Sequence, residues 1–412
     1  MHTAAPDVVE RSNFNHLVMD IAWFGLALAA TSRFLSIYAI RLGGTPADLG
    51  WLTAFPALLL LISATFGGWW HQHFPNAVKA VFLPGLGQRF VFLLPAAAPL
   101  LPRDWQPLWL IVSASLPAIP QGIASVSFIV MMRETIPDGV MTRLLSMRSL
   151  AMNICIGVGA LACGLWLESA IFPINYQVMY AVAFLFALVS LAHLTKLRVI
   201  APTPLAASHE LPFKAWRSPS FRQVAFIAAV IHIAFFTIVP VTPIYLVKHH
   251  GAAEGFIALF GLVELAAGAT MAAFTPKIVA HLGNRAMIAL AMGGTALAAL
   301  TIALVPSPYF TLIGAALSGA SWTAATIGLF GYFMSSTTSE QMTTHSAAYN
   351  QVIGLATFVG PLIGSTLAEG GMNLLYVIMI GAGCRLIAAP LVEYTLLSRF
   401  RRRLAVVHRH AL

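Results

Sequence analysis

Ile37-Tyr38-x-x-Arg41-x-x-Gly44 closes the first long apolar run of this chain, and Ile244-Tyr245-x-x-Lys248-x-x-Gly251 closes the seventh, 207 residues later. A second set recurs at an offset of 201: Met141-Thr142, Gly159 and Glu168 return as Met342-Thr343, Gly360 and Glu369. Two similar offsets near half the chain length mean that the second half repeats the first in the same order. Crossing a bilayer as a helix takes about 20 apolar residues. Runs near 17–40, 48–70, 79–101, 107–132, 149–167, 174–195, 223–246, 255–276, 286–305, 308–334, 346–368 and 373–397 are long enough. The predicted fold is all-α and integral to the membrane: twelve transmembrane helices as two six-helix bundles related by a parallel pseudo-twofold. The expected divisions are residues 1–197 for the first bundle, 198–220 for a cytoplasmic central loop, and 221–412 for the second bundle with a basic cytoplasmic tail.

Composition agrees. Of 412 residues, 59% are hydrophobic and 9% charged, against roughly 25% charged in soluble domains. So few charges cannot cover a water-facing surface of this size, so lipid is the main solvent. The net charge of +9 follows topology and gives no reason to expect nucleic acid. With the N-terminus in the cytoplasm, 17 of the 23 Lys and Arg fall in cytoplasmic segments, the positive-inside bias of multi-pass proteins. The expected location is the cell's inner (plasma) membrane, with both termini cytoplasmic and no cleaved signal. Cys155, Cys163 and Cys384 all lie inside spans, which excludes a disulfide framework. The pairs His71/His73 and His249/His250 lack the three or four ligands of a metal site, so neither metal nor cofactor is expected.

Three features resemble the major facilitator superfamily. One is the 6+6 layout around a long basic central loop. Another is the loop Pro276-Lys-Ile-Val-Ala-His281-Leu-Gly283-Asn284-Arg285 after span 8, which is similar to that family's G-x-x-x-D-R-x-G-R-R and keeps its second Gly and final Arg. The equivalent loop after span 2 keeps only Gly68. The third feature is Arg143 with Arg148, which resembles the family's arginine-containing loop before span 5. The resemblance implies a secondary active transporter that works by alternating access on a small molecule. It assigns Gly68, Gly283, Arg285, Arg143 and Arg148 to cytoplasmic gate loops. The acid missing from both loops removes the charge pair expected of that gate.

Ionisable groups inside a span are costly and mark function or pairing. Asp20, Phe24, Thr31 and Tyr38 fall along one stripe of span 1 at helical spacing. The resemblance places helix 1 on the central cavity, so the stripe becomes a substrate-binding candidate, together with Arg33, Gln121, Trp322 and Asn350. Asp20 has a second reading, as a structural ion pair with Arg89. On that reading the exchange Asp20→Arg with Arg89→Asp should restore part of what either single change loses. Glu264 and His232 lie near the middle of spans 8 and 7 and are the candidates for proton coupling, with Asp20. The alternative for each is a satisfied polar contact in the core. The expected partners are therefore a small-molecule substrate, which an aromatic, sparsely charged cavity makes amphipathic or lipophilic, together with protons and membrane lipids. The transporter is expected to be a monomer. Two other functions compete. One is uptake of an anionic metabolite at Arg33. The other is an intramembrane serine hydrolase, because Gly319-Ala-Ser321-Trp resembles the G-x-S-x motif of rhomboid proteases, with His232 as base.

Overall fold

The computed structural model describes residues 6–32, 34–71, 73–200, 212–337 and 342–410. Among them, twelve helices are long and apolar enough to cross a membrane. In chain order they are Val8–Arg41, Pro46–Ala64, Ala77–Leu100, Arg103–Met132, Met147–Ser169, Ile174–Leu194, Pro219–His250, Glu254–Thr275, Lys277–Leu304, Pro308–Ser335, Ala348–Glu369 and Leu374–Val392, spans 1 to 12 below. The expected all-helical, twelve-span fold is present. A helix satisfies its own backbone donors and acceptors, which lipid cannot do.

Boundaries move where local chemistry sets them. Span 2 ends at Ala64 rather than near residue 70, and a separate short helix, Gly67–His71, follows it. Span 2 opens with a capping box, in which Thr45 Oγ1 accepts from Asp48 N and an Asp48 oxygen accepts from Thr45 N. Span 3 tightens into 3₁₀ turns at Phe90–Phe92 and Leu94–Leu100, where Pro95 and Pro99 remove backbone donors. The turns after spans 1 and 7 each hold a glycine at positive φ: Gly43 at 86° and Gly251 at 63°. Side chains strain there.

The backbone forms two compact units. Unit 1 contains Met1–Ser208 together with Gly251–Leu262; unit 2 contains His209–His250 with Val263–Leu412. Inside unit 1, span 1 packs chiefly on the helix Asp138–Ser169 and on span 6. Inside unit 2, span 7 packs on spans 11 and 12. The first helix of each repeat thus takes the same two neighbours. The start of span 8 belongs with unit 1 because three polar contacts hold it there: Arg41 and Tyr176 to Glu254, and Glu168 to the Gly255 amide.

Candidate functional site

Unit 1 is organised around Asp20, which is buried. Its Oδ2 lies 3.1 Å from Arg148 Nη1. Its Oδ1 accepts from Ser190 Oγ at 2.7 Å and lies 3.7 Å from Arg89 Nη2. Arg148 also donates to the Leu17 carbonyl. Arg89 donates to the carbonyls of Gly85 and Ala187 and to Ser190 Oγ. Asp20 and Arg89 are therefore neighbours, but Arg148 is the nearer cation. Arg148 lies within the helix Asp138–Ser169 and is buried, so it is not part of a gate loop. Buried between Arg148, Ser190 and Arg89, the Asp20 carboxylate is held by two cations, so a substrate or a proton would have to compete with them. That argues against its binding and proton-carrying roles.

The rest of the span 1 stripe is aromatic packing. Phe24 meets Phe92 edge-on at 5.6 Å, and the Arg89 guanidinium lies 5.7 Å from its ring centroid. Thr31 Oγ1 donates to Leu28 O, one turn back. Tyr38 is fully buried and stacked on Tyr176 at 4.3 Å and 6°, which makes it core rather than cavity lining. The described residues do not include Arg33, so the anionic-metabolite reading falls outside them.

Unit 2 holds the other candidates. Glu264 is half-buried, and its Oε1 accepts from Ser318 Oγ at 3.0 Å. Spans 8 and 10 approach so closely here that a Cβ on Gly319 would lie 1.9 Å from the Glu264 carbonyl oxygen. His232 donates from Nδ1 to Ala228 O at 2.8 Å. Its ring meets Trp322 edge-on at 5.2 Å, and Trp322 stacks on Phe235 at 3.8 Å. Glu264 thus engages span 10, while His232 belongs to an aromatic box. Arg385 covers the far face of that box, 4.7 Å from the Phe235 centroid, and donates to the carbonyls of Ala234, Phe235 and Thr295. Phe235, Ser190 and Ser318 were not singled out from sequence. Ser190 had a signal, as a lone hydroxyl in an apolar run.

A groove of about 620 Å³ runs between span 10 and the helix of span 8 continued into the first residues of span 9. One wall is Ala267, Thr270, Met271, Phe274, Lys277 and Ile278; the other is Ile313, Ala316, Leu317 and Ala320. Both sets follow i, i+3, i+4 spacing, so each is one helix face. Glu264 lies three residues before Ala267 on the same stripe.

The remaining candidates scatter. Gln121 is half-buried on span 4, and Asn350 is exposed near the start of span 11. At the loop after span 2 a Cβ on Gly67 would meet Val126, and the surroundings of Gly68 lie outside the described residues. Gly283 has φ 79° and kinks the long helix Glu254–Leu304 in the first turns of span 9. Arg285 donates to Tyr332 Oη and lies 4.5 Å from that ring's centroid, which ties span 9 to span 10. The Arg143 side chain lies outside the described residues. Ser321 Oγ sits where a Cβ on Gly294 would be 2.2 Å away, so it packs spans 9 and 10 together.

Residues 17–361 match the profile described as Major Facilitator Superfamily. Among solved structures, a variant of the nucleoside transporter NupG superposes with a TM-score of 0.76 at 10% identity, covering 93% of this chain and 99% of that one. A D-xylose-proton symporter gives 0.71 at 14%, covering 93% and 97%. A bacterial homologue of the iron transporter ferroportin, in an inward-facing state, gives 0.69 at 14%, covering 92% and 98%. Identities this low show a shared fold and nothing finer. No curated protein matches the sequence.

Proposed function

This chain belongs to the Major Facilitator Superfamily, and from that premise we propose that it moves a small lipophilic or amphipathic molecule across the membrane in exchange with, or together with, protons. The family and fold make it a multi-pass secondary transporter and not an enzyme, so the serine-hydrolase reading of Ser321 falls away. The packing of Ser321 against Gly294 agrees with that.

The observation that carries the substrate class is the groove of spans 8 and 10. Its walls are methyl, thioether and aryl groups, with Thr270 and Lys277 as the polar members. Such a surface binds apolar bodies and gives a polyol little to hydrogen-bond. Glu264 extends the same stripe and is the proposed proton carrier. Its Ser318 partner is neutral, so the carboxyl can be charged or protonated without breaking an ion pair to that partner. His232 holds Trp322 in place nearby and is proposed to tune the site. Alternating access would expose Glu264 to each side in turn. One solved structure of this fold is a proton symporter, which accords with proton coupling.

The test begins with a thermal-shift screen of lipophilic and amphipathic compounds on the purified protein. Hits are then followed in reconstituted vesicles under an imposed pH gradient. Glu264→Gln should retain binding and exchange but lose uphill accumulation. Undiminished accumulation by this variant removes Glu264 from coupling, and a screen answered only by sugars removes the substrate class. The proposed setting is the inner (plasma) membrane, with both termini cytoplasmic. An extracellular signal from a reporter fused at Pro204 or His408 overturns that orientation.

A further inference from the structure

His16 on span 1 and His193 in the last turn of span 6 point their Nδ1 atoms at each other, 2.9 Å apart. The ring centroids are 5.2 Å apart, and both residues are half-buried. A nitrogen–nitrogen hydrogen bond needs a proton on one atom and a lone pair on the other. That requirement limits the protonation states the pair can adopt. With both rings neutral, the donor ring carries its proton on Nδ1 and the acceptor ring on Nε2. An incoming proton can add to the free Nε2 lone pair of the donor ring. That ring then becomes imidazolium and still donates from Nδ1, now through a charge-assisted bond. A second proton finds only the acceptor Nδ1 lone pair, which is already in the bond, so its uptake separates the rings.

The pair also lies in register with the buried network. His16 precedes Asp20 by four residues on span 1, and His193 follows Ser190 by three on span 6, so each is one helical turn from the Asp20–Ser190 bond. The charges facing the pair are Lys196, which acts on both rings, and Asp20, which acts on His193. Beyond Asp20 lie its two cations, Arg148 and Arg89.

We propose that His16 and His193 form a single proton-binding site that takes up one proton with its clasp intact and opens the span 1–span 6 contact when it takes a second. The ligand is the proton itself, one per pair. This site stands apart from Glu264 and does not depend on the reading given to it.

The experiment uses full-length protein, ¹⁵N-labelled at histidine, in detergent or lipid nanodiscs, observed by NMR between about pH 5 and 8. Wild type, His16→Gln and His193→Gln are compared. Wild type should show scalar coupling between two Nδ1 nuclei. That coupling should persist through the first protonation step and vanish with the second. Each single variant should lose the coupling and leave the remaining ring with one step, so that the pair's two steps become one. Thermal unfolding establishes that the variants are folded; if the Gln forms are not, His16→Asn and His193→Asn replace them. The proposal is overturned if wild type shows no coupling, or if His193 titrates identically with and without His16. It is also overturned if the coupled pair takes up no proton in that range, which would leave the contact a packing feature.

Discussion

Gly159 of span 5 leaves no space for a side chain against Ala29 of span 1: a Cβ there would lie 2.8 Å from that of Ala29 and 3.4 Å from the Leu26 carbonyl oxygen. Gly360, 201 residues on, repeats the contact. Its Cβ would lie 2.9 Å from that of Phe236 and 3.1 Å from the Ile233 carbonyl oxygen. Phe236 and Ile233 follow Ala29 and Leu26 by 207 residues. Both halves therefore use one device to bring their first and fifth helices together, and small residues provide such approach in lipid. Gly159→Ala and Gly360→Ala should each cost about 1–3 kcal/mol, the usual penalty of overpacking. Gly293→Ala and Gly383→Ala have nothing within 4 Å of the added carbon and should be close to neutral. Thermal unfolding in detergent compares the four, and equal effects would refute the packing role.

This pair of glycines shows why the fold was legible. The offsets of 201 and 207 were visible in the sequence, and the structure places residues at both offsets in matching contacts. The site was less legible because helical periodicity fixes a face but not the neighbour that face meets. Asp20 was matched with Arg89, yet Arg148 is closer. Nothing in Met141-Thr-Arg-Leu-Leu145 reveals that one helix runs unbroken from Asp138 to Ser169. Glu264 and His232 were paired by depth, but Glu264 turns to Ser318 on span 10. Tyr38 was read as cavity lining because a stripe cannot reveal that Tyr176 covers it.

The Asp20 network reverses the expectation for the charge exchange. Asp20→Arg would place a cation where Arg148 now donates, so Asp20→Arg with Arg89→Asp should not rescue folding. Asp20→Asn leaves two buried guanidinium groups without their carboxylate, which should cost about 3–5 kcal/mol. Adding Arg148→Met removes one of them and should recover part of that loss. Arg89 keeps its carbonyl and Ser190 acceptors. Unfolding midpoints of the single and double variants decide this. A double variant less stable than Asp20→Asn alone would show that Arg148 contributes through other contacts.

Arg41 and Glu254 form a bidentate pair, Nε to Oε1 at 2.9 Å and Nη2 to Oε2 at 3.0 Å, but their surroundings differ. The Arg41 side chain is 44% exposed and that of Glu254 is 8% exposed. Glu254→Gln leaves a cation that water can solvate and should cost under about 1 kcal/mol. Arg41→Gln leaves a buried carboxylate that keeps the Tyr176 Oη donor at 3.2 Å but loses its cation, and should cost about 2–3 kcal/mol. The double variant should then be more stable than Arg41→Gln alone. Denaturation of the three variants tests the asymmetry, and equal single effects would contradict it.

The last prediction concerns pH. His71, between spans 2 and 3, and His345, just before span 11, are both buried. Burial disfavours the charged ring and pushes both below the ordinary histidine value. At His71 the charge of Glu134 partly opposes this. Unfolded imidazoles titrate near about 6.5. Below that pH the unfolded chain binds protons that these folded rings refuse, so stability falls as pH drops. Above it both states are neutral at these positions and the difference disappears. The variant His71→Gln with His345→Gln should therefore show a shallower fall in unfolding midpoint between about pH 7 and 5 than wild type. Any offset from lost packing should persist at high pH, where the linkage is silent. His345 also approaches Thr337 Oγ1 at 3.4 Å and packs 5.0 Å from the Phe221 ring, so that constant offset is expected. A slope identical to wild type would mean that neither ring is held neutral by the fold.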